Sequence, residues 1–457
     1  LIITNMELRI QSMYVERFDD TYSLISGGVE EPTILVFRGV WSKIRDLYRL
    51  CEVEGLNPLL LDFIDPEFEY SMARKVFSLE SIVRAREFRL KYSRVSDAPV
   101  RFSLDRRVDR RSLITRGPLT AIEYIDRPII DSDLCNILDR CDLCINMCPY
   151  NALSGKPPSV DYVKCTMCGL CIGICPIEAI STPRVARDSL DWYIKILREH
   201  SLTPAYIIIA QYSDLESLYD LDISIDAQPT LVLPTGRVEE FSPLSLLRIA
   251  SRGFKPVIYA KMIGEASKLY SELINLGLLD VASSIGEVNR VIVKPLKLVD
   301  RGVTPTHRGF TRTLLEELTE YTKLSFPGYA DIVIDEELCT LCEVCTRYCP
   351  TGALRVESSS NKVSLIFYPD DCIGCRKCVW VCPENAIKSI DWIFRVGSEK
   401  RVLAEDKIAK CRECGAIIGS EKMIARVESR LREAGVLHAL ETLRLCSECK
   451  AKRIYRI

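Results

Sequence analysis

The 457-residue chain reads as a multidomain protein combining α+β and α/β folds. Three observations predict this: two blocks of closely spaced cysteines, β-rich runs alternating with amphipathic helices around the first block, and a tail of paired Cys-x2-Cys. Length alone supports about two to four domains at roughly 100–200 residues each. With 47% apolar residues there is material for ordinary cores. The longest apolar stretches, such as Ala205 to Ala210, fall far short of the roughly 18 residues that cross a membrane. A formal charge of −2 argues against a general nucleic-acid binder, which would carry a marked basic excess.

Residues 1–100 predict a small α/β domain, with strand Thr33–Phe37, helix Trp41–Glu52 and strand Leu59–Phe63 forming a βαβ unit. Residues 84–116, including DRRVDRRSLITR, are Arg-rich without clear period and read as a connector with its arginines in solvent, the connector domain being placed at 101–130. The first cysteine block fills 131–185. A second α/β domain follows over 200–325: strands Tyr206–Ala210 and Thr230–Leu233, helix Leu244–Ser251, strand Pro256–Ala260, helix Gly264–Leu276 and strand Arg290–Val293. The second cysteine block occupies 330–395, and a four-cysteine tail 405–457.

Of 21 cysteines, sixteen lie in the blocks, four in the tail, and Cys51 stands alone as a core residue of a predicted helix. The run Cys339-x2-Cys342-x2-Cys345-x3-Cys349-Pro350 recurs 33 residues later as Cys372-x2-Cys375-x2-Cys378-x3-Cys382-Pro383. Cys165-x2-Cys168-x2-Cys171-x3-Cys175-Pro176 repeats it earlier, and Cys141-x2-Cys144-x3-Cys148-Pro149 lacks only the first thiol. Thiols this close suit metal capture, because a short loop can turn three of them to one corner of a cluster. They suit disulfides poorly. Each block contains the phrase Cys-Pro-x-x-Ala-aliphatic twice, a ligand followed by a tight turn whose Ala lets the backbone lie close. Gly169 and Gly374 sit between ligands, where a residue without Cβ can follow the cluster surface. Ile172, Ile174, Val379 and Trp380 are expected to exclude water from the sites.

These segments, Cys135 to Pro176 and Cys339 to Pro383, resemble bacterial-type 2[4Fe-4S] ferredoxins, and their duplication resembles the polyferredoxin subunits of anaerobic redox complexes. The resemblance implies two bacterial ferredoxin-like dicluster domains and four [4Fe-4S] clusters. The first three Cys of a run hold one cluster and the fourth crosses to its neighbour. On that pattern Cys339, Cys342, Cys345 and Cys382 form one set, and Cys372, Cys375, Cys378 and Cys349 another. Cys165, Cys168, Cys171 and Cys148 form the third. The fourth has Cys141, Cys144 and Cys175, with Leu138 where a Cys belongs. Cys135 is the thiol at hand to complete it, the alternative being a three-iron cluster or a non-Cys ligand.

The phrase Val232-Leu-Pro-Thr-Gly-Arg-Val-Glu-Glu, followed by Leu244 to Tyr259, is similar to the delta subunit of methyl-viologen-reducing hydrogenases. That family carries a two-iron cluster on its own cysteines. No Cys lies between Cys175 and Cys339 here, so the similarity implies a fold and a docking role only.

In the tail, Cys411-x2-Cys414 and Cys446-x2-Cys449 are four thiolates for a closed structural zinc site, with mononuclear iron or a further cluster as alternatives. This zinc-ribbon-like tail resembles extensions on ferredoxin-like subunits of hydrogenase and formate-oxidising complexes. A helix over Lys422–Ala434 fills its 31-residue spacer.

No dinucleotide fingerprint, P-loop or compact catalytic constellation occurs. The expected role is therefore an electron-transfer subunit without catalytic residues. Its expected partners are redox subunits of a hydrogenase, formate dehydrogenase or heterodisulfide-reductase-like complex. The start, Leu1 to Ser12, shows no secretory pattern, and metal-type cysteines fit a reducing cytoplasm, free or peripheral to a membrane complex. Anaerobic life follows from the cluster family, and only 12 Asn and Gln fit a thermophile. Two rival roles remain: a self-contained oxidoreductase with flavin or a disulfide substrate in the α/β region, and a cluster-based redox sensor.

Overall fold

The computed structural model describes residues 11–14, 32–104, 120–296, 323–324, 329–395 and 399–455, apart from 55–56, 75, 99, 125, 137, 139–140, 202, 223–225, 263, 265–267, 360 and 392–393. The chain divides into two units, Leu1–Cys135 with Cys144–Leu314, and Asn136–Leu143 with Leu315–Ile457.

The first unit is built on two parallel sheets. Gln11–Tyr14, Thr33–Val36 and Leu61–Ile64 pair in that order. The second sheet runs Thr230–Thr235, Ala205–Gln211, Phe254–Tyr259, Asp280–Ala282, all parallel. Its central strand, AYIIIAQ, is buried from Ala205 to Ala210. A parallel strand covered on both faces needs this unbroken apolar run. Helix Val40–Glu54 turns Val40, Ile44, Leu47 and Cys51 to the core at helical spacing. These residues share one hydrophobic core with Tyr206, Ile208, Val232 and Val257 of the second sheet.

Three features depart from the sequence reading. Arg290–Val293, expected as a strand, is the last turn and C-cap of helix Ile285–Ile292, which Ser284 caps at its start and which buries Val288, Val291 and Ile292. The β-branched residues of this stretch obey a helical period once Val288 is counted. The fourth strand is instead Asp280–Ala282. The expected helix Gly264–Leu276 is described only over Ser271–Asn275. The Arg-rich region contains structure too: helix Leu79–Lys91 starts on the Ser78 cap, and strand Val100–Leu104 pairs with Thr120–Tyr124. The whole of DRRVDRRSLITR, residues 105–116, lies outside the described residues.

Buried charge joins the facing edges of the two sheets. Arg86 is fully buried and donates to both Asp62 oxygens at 3.1 Å and to the Val232 carbonyl, and it lies 3.5 Å from Glu69. Arg184 donates to the Leu61 carbonyl (3.1 Å) and to the hydroxyls of Tyr212 and Tyr48 (both 2.8 Å). Each arginine thus satisfies a strand-edge carbonyl that has no neighbouring strand to bond. Burial acts to raise the Asp62 carboxyl, but Arg86 and Arg89 outweigh it and hold the group below its ordinary range. Burial pushes Glu69 up to about 8, Arg86 offsetting only part.

In the second unit, antiparallel pairing predominates. Strands Leu354–Ser358, Lys362–Phe367, Arg401–Lys410 and Ile417–Ser420 form a sheet, and Asp331–Ile334 pairs with Ile387–Asp391. Its core gathers Ile332, Leu354, Leu365, Phe367 and Ile387 with Cys339, Cys372 and Cys378. The predicted tail helix is present over Glu421–Glu433.

Candidate metal centres

The cysteine loops are held in shape by left-handed backbone. In each regular three-Cys run, the residues before and after the second Cys have positive φ: Met167 and Gly169, Leu341 and Glu343, Gly374 and Arg376. Each Cys-Pro-x-x-Ala turn adds one more, just before its Ala: Asn151, Glu178, Gly352 and Asn385. L side chains avoid this region at a cost of about 1–2 kcal/mol, so its recurrence at one position marks a backbone bent around something.

That bend aims N–H groups at sulfur. The amides of Ala152, Ala179 and Ala386 donate to the Sγ atoms of Cys148, Cys175 and Cys382 at 3.2–3.3 Å. At the fourth turn Cys349 Sγ lies 3.7 Å from the Thr351 hydroxyl. The sequence marked these alanines as small residues, and their larger contribution is a backbone donor. Their repeated position was the signal.

Two cavities are lined by predicted quartets. One is bounded by Cys339, Cys342, Cys345 and Cys382, with Ile334, Val356, Leu365 and Ile387 as apolar wall. The other is bounded by Cys148, Cys165, Cys168 and Cys171, with Leu153, Val160 and Met167. Four sulfurs around one space with a largely apolar wall suit a cubane cluster, which takes one thiolate per iron. Burial raises Cys345 to about 12, and the charges of Cys339, Cys342 and Cys382 push the same way. Crowded thiolates of this kind require a cation among them.

Burial and then Cys372, Cys375, Cys345 and Cys349 raise the Cys378 thiol. Burial likewise raises Cys375 to about 11, where Cys141 and Cys349 act on it. Cys141 belongs to the segment Asn136–Leu143 of this same unit, whose Asp142 pairs with Lys377 at 3.4 Å. The fourth set divides between units: Cys135, Cys144 and Cys175 fall in the first and Cys141 in the second. Burial raises Cys135, and the charges acting on it are Lys156 and Asp131. Of the expected water-excluding residues, Ile172 and Ile174 are buried, whereas Trp380 is 61% exposed. It stands on the outer face of the short helix Lys377–Val381.

Arginines anchor these loops from outside. Arg127 and Arg237 donate to the carbonyls of Cys165 and Thr166. Buried Arg248 pairs with Glu178 in the Cys175 turn. In the second unit Arg426 and Arg430 both grip Glu384, in the Cys382 turn, at 2.8 Å.

In the tail, the sulfurs of Cys411, Cys414, Cys446 and Cys449 all lie within 4.8 Å of one another. A tetrahedral zinc with bonds of about 2.3 Å spaces its sulfurs about 3.8 Å apart, so the quartet fits. Backbone N–H groups of Cys414 and Cys446 pull the Cys411 thiol down, while hydrogen bonding among the crowded sulfurs pushes Cys449 up.

A model for a 4Fe-4S dicluster domain matches residues 331–383, and one for a 4Fe-4S binding domain matches 158–181. The fold and sites thus define an iron–sulfur protein. Over parts of its length it is similar to polyferredoxins and to iron–sulfur subunits of oxidoreductases. The polyferredoxin protein MvhB of Methanothermus fervidus is 36% identical over 85 residues, 18% of this chain and 19% of that protein. The pyruvate synthase subunit PorD of Methanocaldococcus jannaschii is 37% identical over 59 residues, 13% of this chain and 64% of its own. A sulfite dehydrogenase subunit from Allochromatium vinosum is 35% identical over 91 residues, 20% and 36% respectively. The chain therefore spans about a fifth of the polyferredoxin proteins it matches. None of the described helices is long and apolar enough to cross a membrane.

Proposed function

We propose that this chain is an electron-transfer subunit of a cytoplasmic oxidoreductase assembly. It holds four [4Fe-4S] clusters on the four sets named above, with Cys135 completing the irregular one and zinc in the Cys411, Cys414, Cys446, Cys449 tail. The observation that carries the reading is the pair of cavities, each lined by the four thiols of one predicted set. When bound, such clusters accept and release single electrons. The protein's part is to hold the thiolates, donate N–H groups to sulfur and limit water, all of which set potential. The relatives named for pyruvate synthase and sulfite dehydrogenase are subunits, which supports redox partner subunits here. A hydrogenase, formate dehydrogenase or heterodisulfide-reductase-like complex is the partner proposed.

The test is anaerobic isolation of the tagged protein from its host. Recovery with such an oxidoreductase subunit, and electron flow from that subunit to the clusters, is expected. Recovery alone would contradict the subunit reading. A second reading draws on a cleft of about 310 Å³ beside Trp41, Tyr48, Tyr212 and Ser213, at the carboxyl end of strand Ala205–Gln211, where α/β sheets commonly bind ligands. A flavin released on denaturation would favour that self-contained enzyme.

A further inference from the structure

The tail does more than carry a metal, because its helix lies against one cluster loop in particular. Ser420, the cap of helix Glu421–Glu433, accepts from the Met423 amide at 3.0 Å and donates to the Thr340 carbonyl at 2.6 Å. Thr340 directly follows Cys339. One residue into the helix, Lys422 sends its Nζ to the Glu336 carbonyl at 3.1 Å, three residues before Cys339, while its amide is held by Asp406. One and two turns further, Arg426 and Arg430 clamp Glu384, two residues after Cys382. Both chain segments that supply the Cys339, Cys342, Cys345, Cys382 set are therefore fastened to one helix. That helix is tied to the four-cysteine tail by Arg444, which grips both Glu421 oxygens at 3.1 and 2.8 Å and whose carbonyl accepts from the Arg412 amide at 3.0 Å.

We propose that helix Glu421–Glu433 is a potential-setting brace for the cluster of this set, with Lys422 as the positioning charge that makes it easier to reduce than it would otherwise be. The proposal rests on the ligand assignment above. Reduction adds one electron and no proton, so the site gains a full negative charge. Lys422 sits at the loop and stabilises that charge, as does the positive end of the helix. The bond from Lys422 to the Glu336 carbonyl holds the cation three residues from Cys339.

The experiment is an EPR-monitored redox titration of the full chain, reconstituted anaerobically, as wild type, Cys382→Ser, Lys422→Met and Lys422→Arg. Cys382→Ser removes or converts one signal and so identifies this cluster. Lys422→Met should lower the midpoint of that signal alone, by about tenfold in its reduction equilibrium, or about 59 mV. Lys422→Arg should restore it. An unchanged midpoint in Lys422→Met, or an equal shift of every signal, overturns the brace while leaving the ligand assignment intact. A Cys382→Ser protein with all signals unaltered overturns the ligand assignment, and the brace with it.

Discussion

At the scale of single residues, the centres depend on backbone that most side chains resist. Glu343 and Arg376 occupy the same left-handed position, after the second Cys, that Gly169 fills in the first unit. Glycine there is relaxed, whereas the charged residues carry a steric cost, offset by the loop around them. Glu343→Gly should therefore fold at least as stably as the parent. Gly374→Ala, at positive φ one residue before Cys375, should lose about 1 kcal/mol. Thermal denaturation of the cluster-loaded proteins measures both, and a Glu343→Gly protein clearly less stable than wild type would contradict the account. The cysteine spacing made the sites legible in sequence, because ligand geometry demands it. It could not show that Glu343, Leu341 and Met167 would adopt glycine's conformation, since nothing in their chemistry asks for it. The N–H donors of Ala152, Ala179 and Ala386 were hidden for a related reason: every residue but proline has one, and only the bend aims it.

At the scale of elements, buried charge replaces strand pairing where the two sheets of the first unit meet. Arg86 binds Asp62 and the Val232 carbonyl from inside helix Leu79–Lys91. Removing one partner of a buried pair strands the other, which costs about 3–5 kcal/mol. Arg86→Met should lose that much in denaturant unfolding followed by tryptophan fluorescence, and adding Asp62→Asn should recover part. An additive second loss would show that the two residues act independently. Here the sequence misleads, because an Arg-rich segment without clear period is usually solvated. The burial of Arg86 becomes visible only when Asp62, 24 residues away, and Val232, 146 away, are placed beside it. Helix Ile285–Ile292 was obscured differently, since RVIV favours a strand locally while Ser284 and Val288 favour a helix. The strands Ala205–Gln211 and Thr230–Thr235 were readable because fully buried parallel strands show as short apolar runs.

At the scale of the whole molecule, the same device recurs in both units: a cluster loop anchored by cations from a neighbouring element. In the first unit the cations are Arg127, just ahead of the first cysteine block, and Arg237 and Arg248 from the α/β region. In the second the tail helix supplies Lys422, Arg426 and Arg430. The sequence separates ferredoxin blocks from flanking domains by composition, and physically each flank holds a cysteine loop in place. The central claim, that sixteen thiols on this chain hold four cubanes beside a separate zinc, is tested most directly by counting metal. Anaerobically prepared protein should contain about 16 iron and 16 sulfide per chain with one zinc, and full reduction should approach four unpaired spins. About eight iron per chain, or zinc absent with iron in its place, would contradict it.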